Sequence, residues 1–157
     1  MDPATERSIE TILNRNRVLT LATVRPDGFP QATVVTFAHD ALTLFIAVDA
    51  RSQKVRNIRR NDKVSAAMGS YRSDWSRIAG LSLAGRARLL RRRAEIEWAK
   101  ALLTKRFPQM KEMGEADDYA GWAFIEIVPL VISVLDYTQG FGHTERVKLW
   151  PKRVERR

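Results

Sequence analysis

The sequence contains no cysteine, no signal-peptide pattern and no long apolar run. Without cysteine the chain forms no disulfide bond, thiolate metal site or cysteine nucleophile, and its composition fits a reducing compartment. The N-terminal segment MDPATERS lacks the basic-then-apolar order of a signal peptide. The longest apolar stretch, 123–135, is interrupted by Glu126 and Pro129 and stays below the ~18 residues of a membrane-spanning helix. We therefore expect a soluble, cytoplasmic protein with no membrane partner.

Side chains suited to metal, nucleophilic or acid–base chemistry are also scarce. The two histidines, His39 and His143, stand about a hundred positions apart, and neither has a second ligand at metal-site spacing. No GxSxG-type turn marks an exposed serine nucleophile. Glu126 lies in an apolar segment, where we expect a satisfied or edge-facing carboxylate rather than a catalytic one. The sequence thus predicts neither a metal site nor a hydrolase triad, and we assign no catalytic side chain.

Positive charge is abundant. The formal net charge of +9 arises from 27 Lys and Arg against 18 Asp and Glu, and it indicates an anionic partner. Part of the excess lies in the segments 91–93 and 152–157, where charge usually faces solvent. A nucleic-acid-binding protein would show a helix-turn-helix pattern, or aromatic and basic residues interleaved on a sheet, and we find neither. We therefore regard nucleic acid as an unlikely partner, although such binding remains one hypothesis.

The hydrophobic pattern predicts a mainly β protein that forms a single domain over 1–157. Helices are predicted at 3–16, 52–61 and 95–106. Strands are predicted at 18–24, 31–37, 42–48, 64–68, 81–90, 122–128 and 130–137, with turns at 26–28 and 39–40 and a break at Pro129. Six or seven antiparallel strands, several of them apolar on both faces, indicate a small closed barrel covered by helices or by a second subunit.

The order of these elements divides the chain into segments. We expect an N-terminal helix in 1–17, barrel strands and a basic helix in 18–90, a helix in 94–107, final strands and a loop in 122–145, and a basic tail in 146–157.

The basic helix is the most informative element. It opens on ARSQKVRN, residues 50–57, where Arg51, Lys54 and Arg56 crowd the start and Asp49 is the only nearby acid. A helix N-terminus is electropositive, so each cation there costs about 0.3–1 kcal/mol unless an anion is bound. Ser52 is the predicted N-cap, and its hydroxyl can cap the helix or bond a ligand oxygen. The pattern fits a phosphate site and a solvated basic helix equally well.

Three segments of the chain resemble the pyridoxamine 5′-phosphate oxidase-like FMN-binding split-barrel family, particularly its general-stress-protein-like and deazaflavin-dependent branches. They are LATVRPDGFPQATVVTF, LTLFIAVDARSQKVRNIRRNDKVSAA and LAGRARLL. The resemblance spans about 9–90 and resumes at 122–145. Its most specific element is the run 52–57, one strand after a PDGxP turn. The resemblance implies a split barrel and a homodimer with two FMN molecules at the subunit interface.

The resemblance also implies a set of cofactor-binding residues. Ser52 and Lys54 would bind the flavin 5′-phosphate, with Arg51 and Gln53 beside them. Residues implied along the isoalloxazine ring and ribityl chain are Thr33, Val34, Val35 and Thr36, and those flanking the phosphate are Ala47 and Val48. Trp75 falls where the family often places an aromatic near the flavin of the other subunit, although a core or interface tryptophan is an equal alternative. Asn57 and Gly85 would be structural, the first tying helix to strand and the second easing a strand bend.

The chain also departs from the family pattern. Thr33 and Ala38 stand where the true oxidases place an arginine and a lysine, and Gln53 replaces a second basic residue. The C-terminal arginine and histidine motif that holds pyridoxal has no counterpart in VKLWPKRVERR. We therefore do not predict oxidation of pyridoxamine phosphate.

Because catalytic side chains are sparse, a cofactor that brings its own reactivity is the natural explanation. Our first hypothesis is an FMN-dependent oxidoreductase acting on an unknown small substrate. The alternatives are a reductase that uses the 8-hydroxy-5-deazaflavin coenzyme on the same fold, and a non-catalytic flavin-binding stress-response protein.

Overall fold

The computed structural model describes residues 1–70, 73–112 and 121–149. Its strands are β1 Val18–Val24, β2 Pro30–Thr36, β3 Ala38–Asp40, β4 Thr43–Asp49, β5 Lys63–Ser70, β6 Ala79–Leu89, β7 Trp122–Asp136 and β8 Thr144–Lys148. Its α-helices are α1 Pro3–Arg15, α2 Gln53–Arg60 and α3 Arg93–Arg106. Three short 3₁₀ turns lie at Trp75–Arg77, Pro108–Lys111 and Tyr137–Gln139. No helix in these ranges is long and apolar enough to cross a membrane.

The strands form one antiparallel sheet in the order β2-β1-β5-β6-β7-β4-β3, and β8 pairs with β7. The sheet curls until β2 comes close to β4. This arrangement confirms the predicted mainly β fold, a split antiparallel barrel with surface helices. The two strands that approach across the opening are not hydrogen-bonded to each other, because β2 is the last strand on its side of the sheet.

The strand break predicted at Pro129 is wrong. Strand β7 runs without interruption for 15 residues and pairs with β6, β4 and β8. The register between β6 and β7 shifts at Ala84/Gly85, so that Gly85 lies opposite Pro129. A Cβ on Gly85 would come within 2.5 Å of the Val128 carbonyl oxygen. The bulge and the glycine together let the proline stay inside the strand, which agrees with the bend predicted at Gly85.

Two short strands were not predicted. His39 and Asp40, expected in a turn, belong to β3, and the turn follows at Ala41, which has a φ of 47°. Strand β8 lies across the boundary at 145/146 between the expected loop and basic tail. Its sequence TERVK has a single buried apolar side chain, Val147, and so lacks the alternation by which strands are recognised.

The core has two parts. The larger fills the barrel, where Ile9 and Leu13 of α1 and Val55 and Ile58 of α2 pack against the inward faces of the strands. The smaller lies on the other side of β4 and β7, where α3 covers Phe45 and Phe124. Strand β4 and the first half of β7 therefore have buried side chains on both faces, which explains their runs of successive apolar residues, 44–48 and 122–125.

Candidate functional site

The tight connection from β4 to α2 is held by Asp49. Its carboxylate accepts a hydrogen bond from the backbone N–H of Arg51 at 2.7 Å, and its carbonyl accepts one from the N–H of Ser52 at 3.0 Å. The first of these bonds, with the Arg51 guanidinium next, lowers the pKa of Asp49. The Arg51 side chain is 90% exposed and lies 3.4 Å from the same carboxylate. Asp49 thus stabilises the connection between β4 and α2. The first turn of α2 itself contains no acid.

Ser52 occupies the N-cap position, as predicted, but its side chain does not cap the helix. The hydroxyl is buried and has no hydrogen-bond partner among the described residues. A buried hydroxyl without a partner costs about 1–3 kcal/mol, so native structures rarely keep one without a reason. The backbone N–H groups that begin α2 receive no side-chain cap either. A hydroxyl and helix N–H groups are therefore available together for an acceptor.

Lys54 lies half-buried in the first turn of α2. It makes no hydrogen bond or ion pair within the described part of the chain, and its charge contributes only the smallest effect on the Asp49 pKa. The neighbouring Arg56 instead donates to the carbonyl of Arg51 and, at 2.6 Å, to Oε1 of Gln53. Lys54 is thus the cation of this turn that remains available to neutralise a bound anion.

Gln53 belongs to a polar network that fixes α2 to the barrel. Its Nε2 donates to Oδ1 of Asn57 at 2.8 Å. Asn57 is fully buried, and its Nδ2 donates to Oγ1 of Thr23 at 2.9 Å and to Oε1 of Gln31 at 3.1 Å. The predicted structural role of Asn57 is confirmed. Sequence reasoning missed Thr23 and Gln31, because nothing in a strand pattern shows which inward polar residue meets a helix.

The four residues expected on β2 point to two faces of the strand. Thr33 and Val35 face the barrel interior, whereas Val34 and Thr36 are exposed on the outside. The hydroxyl of Thr33 is buried and, like that of Ser52, has no partner in the described structure. The inner face of β2 therefore carries a second hydroxyl that can bond a ligand.

Ala47 and Val48 likewise lie on opposite faces of β4. Val48 is buried in the barrel core, while Ala47 is half-buried against the smaller cluster. Strand β3 pairs only with Thr43–Phe45, so the rest of that edge of β4 has no strand partner in the described ranges. This open edge leads directly into α2 and faces the open edge of β2. We use the name α2 cradle for the start of α2 together with these two strand edges. Its polar residues are Ser52, Lys54 and Thr33.

Trp75 is not a core residue. It lies in the 3₁₀ turn Trp75–Arg77, is 58% exposed and stacks on Phe141, with ring centroids 6.2 Å apart. Phe141 also contacts Tyr137, at 5.1 Å between centroids. The cluster was not predicted. Phe141 is 79% exposed and lies between two glycines with positive φ, Gly140 and Gly142.

Other polar residues singled out in the sequence have internal partners. The ring nitrogens of His39 lie 2.9 Å from the Ala41 carbonyl and 3.0 Å from Oδ1 of Asn14. Glu126 accepts a hydrogen bond from Arg88, which confirms the expected satisfied carboxylate. No group of three or more possible metal ligands occurs within 1–70, 73–112 and 121–149.

The α2 cradle is separate from five cavities of about 280–500 Å³ that other described residues form, since none of these is lined by Ser52, Lys54 or Thr33. A ligand held here would be covered on one side by this chain only.

A family model described as pyridoxamine 5′-phosphate oxidase matches residues 5–127. Comparison by sequence with curated proteins gave no match. Among solved structures, the chain is similar to a putative pyridoxamine 5′-phosphate oxidase from Listeria innocua. The identity is 30%, the TM-score is 0.69, and the match covers 84% of this chain and 98% of that one.

Two heme proteins also share the fold. A heme-binding protein from Mycobacterium smegmatis is 23% identical with a TM-score of 0.78, and the match covers 94% of this chain but 59% of that longer one. The heme storage protein HutZ from Vibrio cholerae is 20% identical with a TM-score of 0.66, over 79% of this chain and 89% of that one. At these identities the likeness extends to the fold alone.

Proposed function

We propose, since this chain belongs to the pyridoxamine 5′-phosphate oxidase family, that it binds FMN in the α2 cradle and acts as a flavin-dependent oxidoreductase on a small substrate. One observation supports the proposal: within 1–70, 73–112 and 121–149, neither the buried hydroxyl of Ser52 nor the half-buried Lys54 beside it has a partner, and their helix turn contains no acid. These groups match the needs of a phosphate dianion.

Each residue of the α2 cradle has a definite part in this proposal. The Ser52 hydroxyl and the first N–H groups of α2 donate to phosphate oxygens, and the ammonium of Lys54 neutralises the charge. Arg51, exposed beside Asp49, adds long-range attraction. Gln53 acts indirectly, because its hydrogen bonds to Arg56 and Asn57 hold the turn in place. The Thr33 hydroxyl is available to the sugar-like chain or the polar ring edge.

Bound FMN would supply the hydride- or electron-transfer chemistry that the side chains lack. The residues of this chain would then bind and orient the cofactor and exclude water from it. The polar groups of the site are hydroxyls, an ammonium and backbone N–H groups, which suit binding and orientation of a cofactor.

A second copy of the chain is the proposed cover for the α2 cradle. The outer face of β2, β1, β5 and β6 has an uncharged area of mostly small side chains that no described element covers: Thr20, Ala22, Ala32, Val34, Ser65, Ala67, Ser82 and Ala84. Lys63 and Arg86 lie at one end of this area, and Arg86 is ion-paired with Asp62 at 2.7 Å. Val34 on this face is 68% exposed. In a protein with 29% charged residues, such a face is typical of a subunit interface. We propose a homodimer through it, with a cofactor in each cradle.

Cofactor titration tests the proposal. FMN, the 8-hydroxy-5-deazaflavin coenzyme and hemin are each added to the purified protein, and binding is followed by absorbance and by flavin fluorescence. We expect one FMN per chain and weaker binding of the other two. Tight binding of deazaflavin or hemin without FMN uptake would overturn the assignment. Steady oxidation of NADH or NADPH by the FMN-loaded protein with an electron acceptor then separates an enzyme from a non-catalytic flavin carrier.

A further inference from the structure

A second basic site lies between α1 and the sheet, and it shares no lining residue with the α2 cradle. A cavity of about 400 Å³ separates one face of α1 from β6, β7 and the 3₁₀ turn at Trp75–Arg77. Three arginines reach it, two from α1 and one from the 3₁₀ turn: Arg7, Arg15 and Arg77. Its size lies within the ~300–1,000 Å³ of ordinary ligand pockets. We name it the α1 groove.

The helical repeat explains why α1 presents these groups together. Positions 7, 11 and 15 form one stripe along the helix, and positions 4, 8 and 12 form the next. The first stripe supplies Arg7, Thr11 and Arg15. The backbone positions of Arg7 and Arg15 are about 12 Å apart along the helix axis. The second supplies Ser8 and Ile12. One side of the α1 groove is thus built from arginines and hydroxyls, and these long side chains can converge on a ligand near Thr11.

The arginines of the α1 groove carry unneutralised charge. None of the three forms an ion pair or a side-chain hydrogen bond in the described part of the chain. Arg77 affects Asp74 only at longer range, since the pKa of Asp74 is lowered chiefly by Ser76. The acid that lines the groove, Asp136, accepts hydrogen bonds from Thr138 and from Gln139 at 3.0 Å. Among the residues that line the groove, three cations and one acid give a net charge of about +2, and the carboxylates of Asp2 and Glu145 lie in the adjoining cavity.

The floor of the α1 groove is apolar. Ile12 is 7% exposed and Val134 is 4% exposed, and both line the cavity beside Ala79. At the far end, an adjoining cavity of about 300 Å³ contains the carboxylates of Asp2 and Glu145. Both lie near the Thr5 hydroxyl, at 2.6 Å and 2.9 Å. A ligand would therefore place its anionic group among the three arginines, away from the Asp2 and Glu145 carboxylates, and an apolar body on the floor.

We propose that the α1 groove binds a small organic phosphate ester, with Arg7 and Arg15 holding the phosphate, Arg77 adding charge, and Ile12 and Val134 contacting the apolar body. Guanidinium groups suit phosphate because each presents two parallel N–H donors to two oxygens. The Ser8 hydroxyl provides a further donor on the same face of α1, whereas the Thr11 hydroxyl already donates to the Arg7 carbonyl at 2.7 Å. The site acts independently of FMN and accounts for part of the net charge that the α2 cradle does not use.

Calorimetric titration with phenyl phosphate, and with inorganic phosphate for comparison, tests the proposal. The double variant Arg7→Gln/Arg15→Gln should bind phenyl phosphate at least tenfold more weakly than the wild type. The control Arg91→Gln/Arg93→Gln removes the same charge from exposed positions near the start of α3 and should bind like the wild type. Phenyl phosphate should also bind more tightly than inorganic phosphate, because only the ester has an apolar body.

Several results would overturn the proposal. Absence of phenyl phosphate binding at millimolar concentration would do so, as would equal losses in the two double variants, which would indicate nonspecific attraction. Binding that Lys54→Ala abolishes and Arg7→Gln/Arg15→Gln leaves unchanged would place the anion in the α2 cradle instead. NMR of the methyl groups gives an independent readout, since ligand binding should shift the Ile12 and Val134 signals and leave those of Val55 in place. Unshifted Ile12 and Val134 signals would likewise contradict it.

Discussion

At the scale of the residue, two hydroxyl side chains are informative because they make no hydrogen bond within the described residues. The hydroxyls of Ser52 and Thr33 are buried without a hydrogen-bond partner among the residues that the structure describes, whereas the neighbouring Asn57 and Gln53 side chains are hydrogen-bonded. The sequence predicted that Ser52 would begin α2, but it left open whether its hydroxyl caps the helix. That choice depends on a side-chain rotation that a spacing pattern does not encode.

Ser52→Ala should separate stability from binding. In the cofactor-free protein the substitution removes an unsatisfied hydroxyl that caps nothing, so the free energy of unfolding should stay the same or rise by up to about 1 kcal/mol. FMN affinity should fall roughly tenfold, because one donor to the phosphate is lost. Chemical denaturation and FMN titration measure the two effects. A loss of about 1 kcal/mol of stability without FMN would show that Ser52 is an ordinary N-cap.

At the scale of the element, local chemistry fixed most of the helices and strands. Strand β1 and the hairpin to β2 follow from apolar runs around a Pro-Asp-Gly turn, and their bounds agree with the prediction to within a residue. The errors arose where tertiary pairing decides. Pro129 stays in β7 because the extra residue Leu130 forms a bulge opposite the Ala84–Gly85 step of β6, and β8 forms because β7 offers it an edge. Both features depend on pairing with another strand, which the sequence of the segment itself does not show.

Helix α1 begins at an acidic cap that should make its stability depend on pH. The Asp2 carboxylate accepts from the N–H groups of Ala4 and Thr5, at 2.9 and 3.1 Å, and its pKa is lowered to about 2, first by the Thr5 hydroxyl. A lowered pKa means that the stabilisation is complete above about pH 4, the ordinary range for Asp, and disappears as the pH falls toward 2.

The variant Asp2→Asn keeps a capping oxygen but lacks the titratable charge. The wild type should therefore have a higher melting temperature than the variant at pH 6, and the difference should shrink between pH 4 and pH 2. Thermal unfolding followed by circular dichroism measures it. A difference that persists unchanged at pH 2 would show that the cap does not act through its charge.

At the scale of the whole molecule, the sheet has one face that the helices of the described ranges leave uncovered. The α1 and α2 helices fill the barrel and α3 covers β4 and β7, so the outer face of β2, β1, β5 and β6 remains with its alanines, serines and valines. The sequence predicted that strands apolar on both faces must be packed against helices or a second subunit. It could not show that α3 packs against β4 and β7 and leaves the outer face of β2, β1, β5 and β6 exposed.

Ala67→Arg should disrupt the proposed homodimer. Ala67 is exposed in the middle of the uncovered face, and a buried, unpaired arginine there would oppose association of two copies. Ala94→Arg makes the same change at an exposed position of α3 and is the control. Light scattering coupled to gel filtration should give a dimer for the wild type and for Ala94→Arg, and a monomer with weakened FMN binding for Ala67→Arg. Dimers in all three would place the interface elsewhere.

The central claim is that a flavin phosphate is held at the start of α2 by Ser52 and Lys54. The most direct test compares FMN with riboflavin, which lacks the phosphate, in wild type, Lys54→Ala and the exposed-lysine control Lys105→Ala. A charge-assisted hydrogen bond contributes about 1.5–3 kcal/mol, so we predict that FMN binds the wild type and Lys105→Ala more than tenfold more tightly than riboflavin. In Lys54→Ala this preference should fall about tenfold. A preference that Lys54→Ala leaves intact, or equal affinity of the wild type for the two flavins, would contradict the account.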